Sequence, residues 1–226
     1  MNDSFKTMKL FLDTADTKLL HDGYLTGLID GVTTNPSLMM KEGKDPRDVI
    51  LQICNMFGWT ASVSAEVVGE TAEEMLNMAD DYIDIHPSVT IKLPLTPEGL
   101  KACKELSEDG ISTNVTLCFS VSQAILAAKA GATYVSPFVG RLNDNSVSGV
   151  ELIRAISDVY RRHDVNTEIL AASIRDVHQV GRCFAVGANI CTIPPTVFNK
   201  MYNHVLTDKG LEQFNSDWAT LQDKLS

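Results

Sequence analysis

Residues 89–117 read VTIKLPLTPEGLKACKELSEDGISTNVTL, which is one complete strand–helix–strand unit. A strand-like run at Thr90–Pro94 is followed by the helix start signal Thr96-Pro97 and then by a second strand-like run at Thr113–Leu117. The same alternation of short β-rich runs and longer helical patterns extends to both ends of the chain, which is typical of repeated βα units around a parallel sheet. The predicted strands are Lys9–Asp13, Gly31–Thr34, Val63–Val67, Thr90–Pro94, Thr113–Leu117, Tyr134–Phe138, Glu168–Ser173 and Asn189–Ile193. Eight such strands predict an α/β fold of the (β/α)8 TIM-barrel type.

Helix start signals lie between these strands wherever the alternation needs one. They are Asp45-Pro46, the capping-box pattern Thr71-x-x-Glu74, Thr96-Pro97, Ser120-x-x-Gln123 and Ser148-x-x-Glu151. Gly131 and Gly187 each follow a helical pattern and are expected to end it in a left-handed conformation. After the last strand, an additional amphipathic helix is predicted from Thr207 to about Leu221, with Phe214 and Trp218 on one stripe. We expect this C-terminal helix to pack on the barrel or on a neighbouring subunit.

No linker, low-complexity tract or charge run interrupts the pattern. We therefore predict a short N-terminal extension at residues 1–7 and a single barrel domain at residues 8–226. The length of 226 residues is close to that of one ordinary (β/α)8 barrel. A doubly wound open sheet is the rival architecture, but its glycine-rich G-x-G-x-x-G turn is absent, so the barrel is preferred.

The formal net charge of −10 argues against a nucleic-acid or anionic-membrane partner, because either would be repelled at long range. Anionic substrates must then be bound by a few locally placed cations. The 5 cysteines lack C-x-x-C spacing, which indicates reduced thiols in a cytosolic protein. The polar start Met1–Thr7 lacks the apolar region of a secretory signal, and no run reaches membrane-spanning length. We expect a cytoplasmic protein.

Polar side chains occur at the C-terminal end of strand after strand. They are Asp13, Asn35, Glu66, Lys92, Asn114, Thr116, Ser136 and Ser173. In a barrel of this type the active site is built from the C-terminal strand ends and the loops that follow them. This level of the barrel is therefore the predicted active site.

Lys92 is the most informative of these residues. Period-2 alternation sends Val89, Ile91 and Leu93 outward to the helix layer and Thr90, Lys92 and Pro94 into the barrel. Desolvation disfavours the ammonium form of an inward-facing lysine, which supplies the neutral amine that a Schiff-base nucleophile needs. The alternative is a lysine that reaches the rim or forms an ion pair with Asp13 or Glu66.

Asp13 and Glu66 face the same interior by the same alternation. Paired carboxylates beside an amine are able to divide acid and base work, although each alone is equally well explained as a structural ion pair or a helix cap. Arg141 and Arg175 follow the sixth and seventh strands, where barrels commonly bind phosphate. With the hydroxyl of Ser173 they would hold a dianion, or they are exposed loop arginines. The histidines lack ligand spacing, so a metal cluster is not predicted.

These residues resemble the small, single-barrel transaldolases and the closely related fructose-6-phosphate aldolases. The resemblance extends from Met8 to about Trp218. Its motifs are FLDTAD (11–16), GVTTNPSL (31–38), SAEV (64–67), IKLPLTPEGL (91–100), TNVTL (113–117), AGATYVSPFVGR (130–141) and AAS (171–173).

The resemblance implies a role for each matching residue. Lys92 is implied to be the Schiff-base lysine, Asp13 the acid/base at the C4 hydroxyl, and Glu66 with Thr116 the pair that positions the catalytic water. The implied substrate-binding residues are Asn35, Asn114 and Ser136 for the dihydroxyacetone part, and Arg141, Ser173 and Arg175 for the phosphate. The family uses no metal or organic cofactor, and its small members are cytosolic rings of five subunits, often stacked into decamers, in which the C-terminal helix reaches a neighbour.

The implied activity is that of a transaldolase acting on sugar phosphates in the non-oxidative pentose phosphate pathway. Phe138 with Glu66 is the pair that the resemblance associates with transaldolases, whereas tyrosine with glutamine accompanies the aldolases. This chain has the transaldolase pair. The first alternative to a transaldolase is a fructose-6-phosphate aldolase that releases free dihydroxyacetone. The second, from a different class, is a catalytically silent barrel that only binds sugar phosphates.

Overall fold

The computed structural model describes residues 8–225, so the extension predicted at 1–7 lies outside the described residues. Parallel strands close into one barrel in which neighbours follow chain order and the last strand pairs with the first. The strands are β1 (Lys9–Asp13), β2 (Gly31–Thr33), β3 (Ser62–Glu66), β4 (Val89–Pro94), β5 (Thr113–Cys118), β6 (Tyr134–Pro137), β7 (Glu168–Ala171) and β8 (Ile190–Ile193). Every predicted strand is present, and each end lies within two residues of its prediction. The predicted (β/α)8 barrel is therefore confirmed.

Helices follow the strands and cover the outside of the barrel. They are α1 (Thr17–Leu25), α2 (Pro36–Glu42), α3 (Pro46–Phe57), α4 (Ala72–Ile83), α5 (Pro97–Glu108), α6 (Val121–Lys129), α7 (Val139–Asp144), α8 (Gly149–Arg162), α9 (Val177–Ala185), α10 (Pro195–Lys200) and α11 (Val205–Leu225). The predicted start residues cap their helices by accepting a hydrogen bond from a backbone N–H of the first turn. These caps are Asp45, Thr71, Thr96, Ser120 and Ser148. Gly131 and Gly187 have positive φ values of 83° and 106°, as predicted.

Strand side chains alternate between the helix layer and the barrel interior. Ile91 and Leu93 of β4 are fully buried among the helices, whereas Lys92 between them lines the interior cavity. Burying an aliphatic side chain of this size contributes about 1.5–3 kcal/mol. Shifting the register of β4 by one residue would turn Ile91 and Leu93 into the cavity and Lys92 toward the helices. Burial of the two aliphatic side chains therefore fixes the direction in which Lys92 points.

The N-terminal end of the barrel interior is filled by side chains. Phe11, Leu170 and Ile190 point inward from three different strands and form a small apolar cluster. Near it, the ammonium group of Lys9 on β1 donates to the carboxylate of Glu168 on β7 at 2.8 Å. The open space lined by the polar residues lies toward the C-terminal ends of the strands.

The C-terminal helix α11 is longer than predicted, and no residue of it is buried. The side chains of Phe214 and Trp218 are 72% and 61% exposed. Of the two predicted partners, the barrel of the same chain is therefore not the one that covers this stripe. No helix within residues 8–225 is both long enough and apolar enough to cross a membrane.

Candidate active site

A cavity of about 150 Å³ opens at the C-terminal ends of the strands. Its walls are Asp13, Thr33, Asn35, Lys92, Thr116, Ser136, Phe138, Arg141, Ala172, Ser173 and Thr192. Most of the residues singled out from the sequence are therefore brought together around one space. The other three, Glu66, Asn114 and Arg175, are not among its lining residues and contact other side chains, as described below.

Lys92 lies between two strands that both supply polar side chains. The register pairs Lys92 with Glu66 on β3 and with Asn114 on β5. The Lys92 residue is only 6% exposed, and its Nζ lies 2.9 Å from Oε2 of Glu66 while donating to the backbone carbonyl of Thr34 at 3.0 Å. The amine is thus held by two acceptors at the wall of the cavity. The ion pair with Glu66, one of the alternatives for this lysine, is present in the structure.

Asp13 ends β1 and faces the same cavity. Its Oδ1 accepts a hydrogen bond from the hydroxyl of Thr33 at 2.8 Å. Burial raises the pKa of the Asp13 carboxyl above its ordinary value, and the charge of Lys92 and the hydrogen bond from Thr33 offset this rise only in part. A carboxyl with a raised pKa takes up and releases a proton more readily near neutral pH, as acid/base catalysis requires.

Glu66 approaches Lys92 from the side of a neighbouring groove. This groove has a volume of about 350 Å³ and is bounded by α2, α3 and α4, with Met39, Met78 and Tyr82 among its lining residues. Asn35 lines both the groove and the cavity. Glu66 thus contacts the amine and lines the groove, whereas Asp13 lines the same cavity as Lys92.

Thr116 carries a buried hydroxyl that finds no hydrogen-bonding partner among residues 8–225. Leaving a buried hydroxyl without a hydrogen bond costs about 1–3 kcal/mol, so such a group in a native structure often has a functional role. Thr116 pairs in register with Pro94, two residues beyond Lys92, and lines the cavity. Its hydroxyl is therefore available to a substrate oxygen or a water close to the amine.

Asn114 supports a residue of the cavity wall through a hydrogen bond. Its Oδ1 accepts a hydrogen bond from the hydroxyl of Ser136 at 2.6 Å, and its Nδ2 donates to Ser64 at 3.2 Å. Ser136 itself lines the cavity. Asn114 thus orients Ser136, and its expected place in the substrate pocket stays a prediction. Asn35 does line the cavity, and its Oδ1 caps α2 by accepting from the backbone N–H of Leu38 at 3.0 Å.

The two arginines have different environments. The guanidinium carbon of Arg141 lies 4.9 Å from the ring centroid of Phe138, and both residues line the cavity. Ser173 also lines it and has a φ of 57°, an unusual conformation for a serine that often marks functional sites. Arg175 instead forms a two-pronged ion pair with Asp144, at 2.9 Å and 2.6 Å. Arg141 therefore lies at the cavity and Arg175 is bound to Asp144, while the phosphate role of the two arginines stays a prediction.

Thr33 and Thr192 are cavity residues that were not singled out from the sequence. Their hydroxyls lie 2.6 Å apart. Period-2 alternation identifies both as inward-facing, since Thr33 follows the inward Gly31 by two residues and Thr192 follows Ile190 by two. The alternation thus places both threonines in the interior, but nothing in the sequence distinguishes an interior threonine with a function from one that only fills space.

The side chains around the cavity indicate which chemistry it suits. Within residues 8–225, no group of three or more His, Cys, Asp or Glu side chains is arranged to hold a metal ion. The polar atoms around the cavity are an amine, carboxylates, hydroxyls, an amide and a guanidinium. This set suits covalent and proton-transfer chemistry on a polar, anionic organic substrate.

Comparison with known proteins gives one consistent family. The family model described as Transaldolase/Fructose-6-phosphate aldolase matches residues 10–225. A probable transaldolase of Paracoccus denitrificans (strain Pd 1222) is 51% identical over 218 residues, which cover 96% of this chain and all of that protein. A probable transaldolase of Caulobacter vibrioides (strain NA1000 / CB15N) is 51% identical over 213 residues, which cover 94% of this chain and 97% of that protein.

Among solved structures, a thiamine phosphate pyrophosphorylase from Pyrococcus furiosus has a similar fold. The TM-score is 0.57, and the match covers 83% of this chain and 85% of that one. The sequence identity is only 15%, so this likeness bears on the fold alone.

Proposed function

The chain belongs to the transaldolase/fructose-6-phosphate aldolase family, and from this premise we propose that it is a transaldolase of the non-oxidative pentose phosphate pathway. It transfers a dihydroxyacetone unit from sedoheptulose 7-phosphate or fructose 6-phosphate to glyceraldehyde 3-phosphate or erythrose 4-phosphate. The observation that carries the proposal is the buried Lys92, whose Nζ lies 2.9 Å from the carboxylate of Glu66 at the wall of a cavity that also exposes Asp13.

The first step is Schiff-base formation at Lys92. The carboxylate of Glu66 accepts a proton from Nζ, and the neutral amine then adds to the C2 carbonyl of the ketose phosphate. The resulting carbinolamine loses water to give an iminium. Glu66, which contacts the amine, and Thr116, which lines the same cavity as Lys92, position the water that leaves here and re-enters when the Schiff base is hydrolysed.

The second step is cleavage of the carbon–carbon bond. Asp13 takes the proton of the C4 hydroxyl, the C3–C4 bond breaks, and its electron pair moves to the iminium to give an enamine. The raised pKa of Asp13 suits this exchange, because the carboxyl must hold the proton until it returns it to the acceptor. The aldose phosphate leaves, the acceptor aldehyde takes its place, and the steps run in reverse.

The remaining cavity residues bind the two ends of the substrate. Asn35 and Ser136, the latter oriented by Asn114, lie where the dihydroxyacetone hydroxyls would bind next to Lys92. The phosphate would be held by Arg141, Ser173 and Arg175, with Arg175 exchanging its carboxylate partner for the phosphate. Local cations of this kind are needed, because the chain as a whole carries a formal charge of −10.

Trapping with borohydride tests the proposal directly. Borohydride with fructose 6-phosphate should add the reduced dihydroxyacetone adduct to Lys92, and Lys92→Met should show neither adduct nor turnover. The absence of a mass shift at Lys92 in wild-type protein would refute the Schiff-base mechanism. A parallel assay of erythrose 4-phosphate-dependent transfer against free dihydroxyacetone separates a transaldolase from an aldolase. Equal rates of release and transfer would assign the aldolase activity instead.

We also infer that the protein is a cytoplasmic homo-oligomer, a ring of five or a stack of two rings as the family resemblance implies. On α11, Leu211, Phe214, Trp218, Leu221 and Leu225 are spaced by three and four residues and are all exposed. A stripe with this spacing is typical of a helix that packs against another surface. Trp218→Glu should lower the sedimentation coefficient, whereas Ser216→Glu, which adds the same charge on the opposite face of α11, should not. An unchanged coefficient for Trp218→Glu would exclude the helix from the interface.

A further inference from the structure

Three side chains on neighbouring strands form a hydrogen-bonded chain along the cavity wall. The hydroxyls of Thr192 on β8 and Thr33 on β2 are 2.6 Å apart, and the Thr33 hydroxyl donates to Oδ1 of Asp13 on β1 at 2.8 Å. Closure of the barrel puts β1 between β2 and β8, with Asp13 in register with Thr33. Thr33 and Thr192 are 2% and 3% exposed, so bulk water does not compete for these bonds.

The donor and acceptor inventory sets the direction of the chain. An ionised Asp13 has no proton to give, so the single proton of the Thr33 hydroxyl must point at Asp13. Thr33 then has no proton left for Thr192, and the bond between the two hydroxyls must be donated by Thr192. The direction is therefore Thr192 to Thr33 to Oδ1 of Asp13. Because Oδ1 already accepts this hydrogen bond, Oδ2 is the better acceptor for a proton taken from a substrate.

We propose that Thr33 and Thr192 are positioning residues for Asp13: they hold the carboxylate ionised and in one orientation and reserve Oδ2 for the substrate proton. This inference rests on the proposed function only in assigning the acid/base role to Asp13. Thr33 acts directly on the carboxylate, and Thr192 acts through Thr33. Neither hydroxyl is required to exchange a proton with the substrate.

The charges around Asp13 explain why a neutral donor is useful there. The charged groups that face it are Lys92 on β4, Glu66 on β3 behind that lysine, and Arg141 of α7 at the same cavity. Burial raises the pKa of Asp13, while Lys92 and Thr33 lower it. The nitrogen of Lys92 is positive as ammonium and as iminium but neutral as enamine. Its lowering of the Asp13 pKa therefore varies during the catalytic cycle. The hydrogen bond from Thr33 does not vary with that charge.

The test measures the pKa of Asp13 in the unliganded protein by infrared spectroscopy. The C=O band of the protonated carboxyl is followed against pH and assigned by its loss in Asp13→Asn. Thr33→Val keeps the shape of the side chain but removes the donor to a charged group, so the pKa should rise by about one to two pH units. Thr192→Val should raise it in the same direction by less than about one unit, because Thr33 still donates but is no longer polarised by a second hydroxyl. Thr33→Ser should restore a value near that of wild type.

A pH profile adds a catalytic readout. The acid limb of kcat/KM should move to higher pH in the order Thr33→Ser, Thr192→Val, Thr33→Val, with thermal unfolding as the check on folding. Should Thr33→Val fail to fold, Thr192→Val carries the same test. A pKa of Asp13 that is unchanged or lowered in the valine variants overturns the proposal, whatever the activity. Wild-type protein without transfer activity would instead refute the proposed function, and the infrared ranking would still decide about the hydroxyl chain.

Discussion

The ion pair between Arg175 and Asp144 leads to a prediction about substrate affinity. In the structure the two guanidinium nitrogens bind the two oxygens of Asp144 at 2.9 Å and 2.6 Å, so the donors that a phosphate would use are already occupied. The Arg175 side chain passes close to Gly140 of α7. A Cβ added at Gly140 would lie 2.9 Å from Nε of Arg175 and would clash with the carbonyl oxygen of Ser173. A phosphate that binds Arg175 must therefore compete with Asp144. We predict that Asp144→Asn lowers KM for phosphorylated ketoses.

The expected size follows from the exposure of the pair. The side chains of Arg175 and Asp144 are 54% and 47% exposed, and exposed ion pairs of this kind contribute about 0.2–1 kcal/mol. Removing that competition lowers KM by about 1.4- to 5-fold, since about 1.4 kcal/mol corresponds to a factor of ten. The contact with phosphate exists in both ground and transition states, so kcat should stay unchanged.

Steady-state kinetics with fructose 6-phosphate and erythrose 4-phosphate measures this effect at low and at high salt. The difference between Asp144→Asn and wild type should shrink as salt screens the exposed charges. Asp158→Asn is the matched control, because it breaks a similarly exposed pair with Arg161 on α8 and should leave KM unchanged. In an Arg175→Ala background, where KM is already raised, Asp144→Asn should have no further effect.

Two results would refute this reasoning. A higher KM for Asp144→Asn would mean that Asp144 orients Arg175 toward the phosphate instead of competing for it. An Arg175→Ala variant with the KM of wild type would remove Arg175 from the phosphate site altogether.

Three further substitutions test other parts of the molecule. Thr116→Val removes a buried hydroxyl that has no partner within residues 8–225. Urea denaturation should therefore show a stability equal to that of wild type or higher by up to about 1 kcal/mol, while kcat falls. Lower stability with a normal kcat would contradict a role of Thr116 at the catalytic water. Glu168→Gln should destabilise the protein by about 1–2 kcal/mol in urea denaturation at pH 7, because the pair with Lys9 is only partly exposed. Burial lowers the pKa of Lys9, but the hydrogen bond and charge of Glu168 outweigh it and raise that pKa above 10.5. The stability deficit of Glu168→Gln should therefore be complete from pH 7 to pH 10.5 and disappear as the pH rises through the raised pKa. A deficit that persists at higher pH would contradict the ion-pair explanation. Phe138→Tyr should shift the reaction from transfer toward release of free dihydroxyacetone, because the phenol adds a hydrogen-bond donor at the cavity that helps protonate the enamine. An unchanged ratio of release to transfer in a dihydroxyacetone assay would exclude Phe138 as a determinant of that ratio.

The barrel could be predicted because its signals are local. Each βα unit carries its own apolar period, its own helix cap and often its own stop signal within about 30 residues. Thr71 and Glu74 form the capping box that their spacing predicts, and Lys92 points inward because Ile91 and Leu93 are outward-facing core residues. The boundaries of α11 were less well predicted: the helix extends from Val205 to Leu225, beyond the predicted span from Thr207 to about Leu221, and none of its described residues is buried.

Contacts between distant residues could not be predicted in this way. Thr33 and Thr192 are separated by 159 positions and meet because β8 closes against β1. Asn114 accepts a hydrogen bond from Ser136, and Arg175 forms an ion pair with Asp144. Alternation says which face a side chain occupies, but it does not say which partner its rotamer selects.

The sequence by itself determined the fold class, the strand and helix order, and the presence of an amine and two carboxylates at one end of the barrel. These features depend on periodicity and capping, which act over one or two turns of helix or a few residues of strand. Only the tertiary structure decided how those groups are connected: Glu66 to Lys92 from the groove, and Asp13 to Thr192 through Thr33. Closure of the barrel brings strands from both ends of the chain within hydrogen-bonding distance, and burial then forces each polar group to take the partner that closure puts beside it.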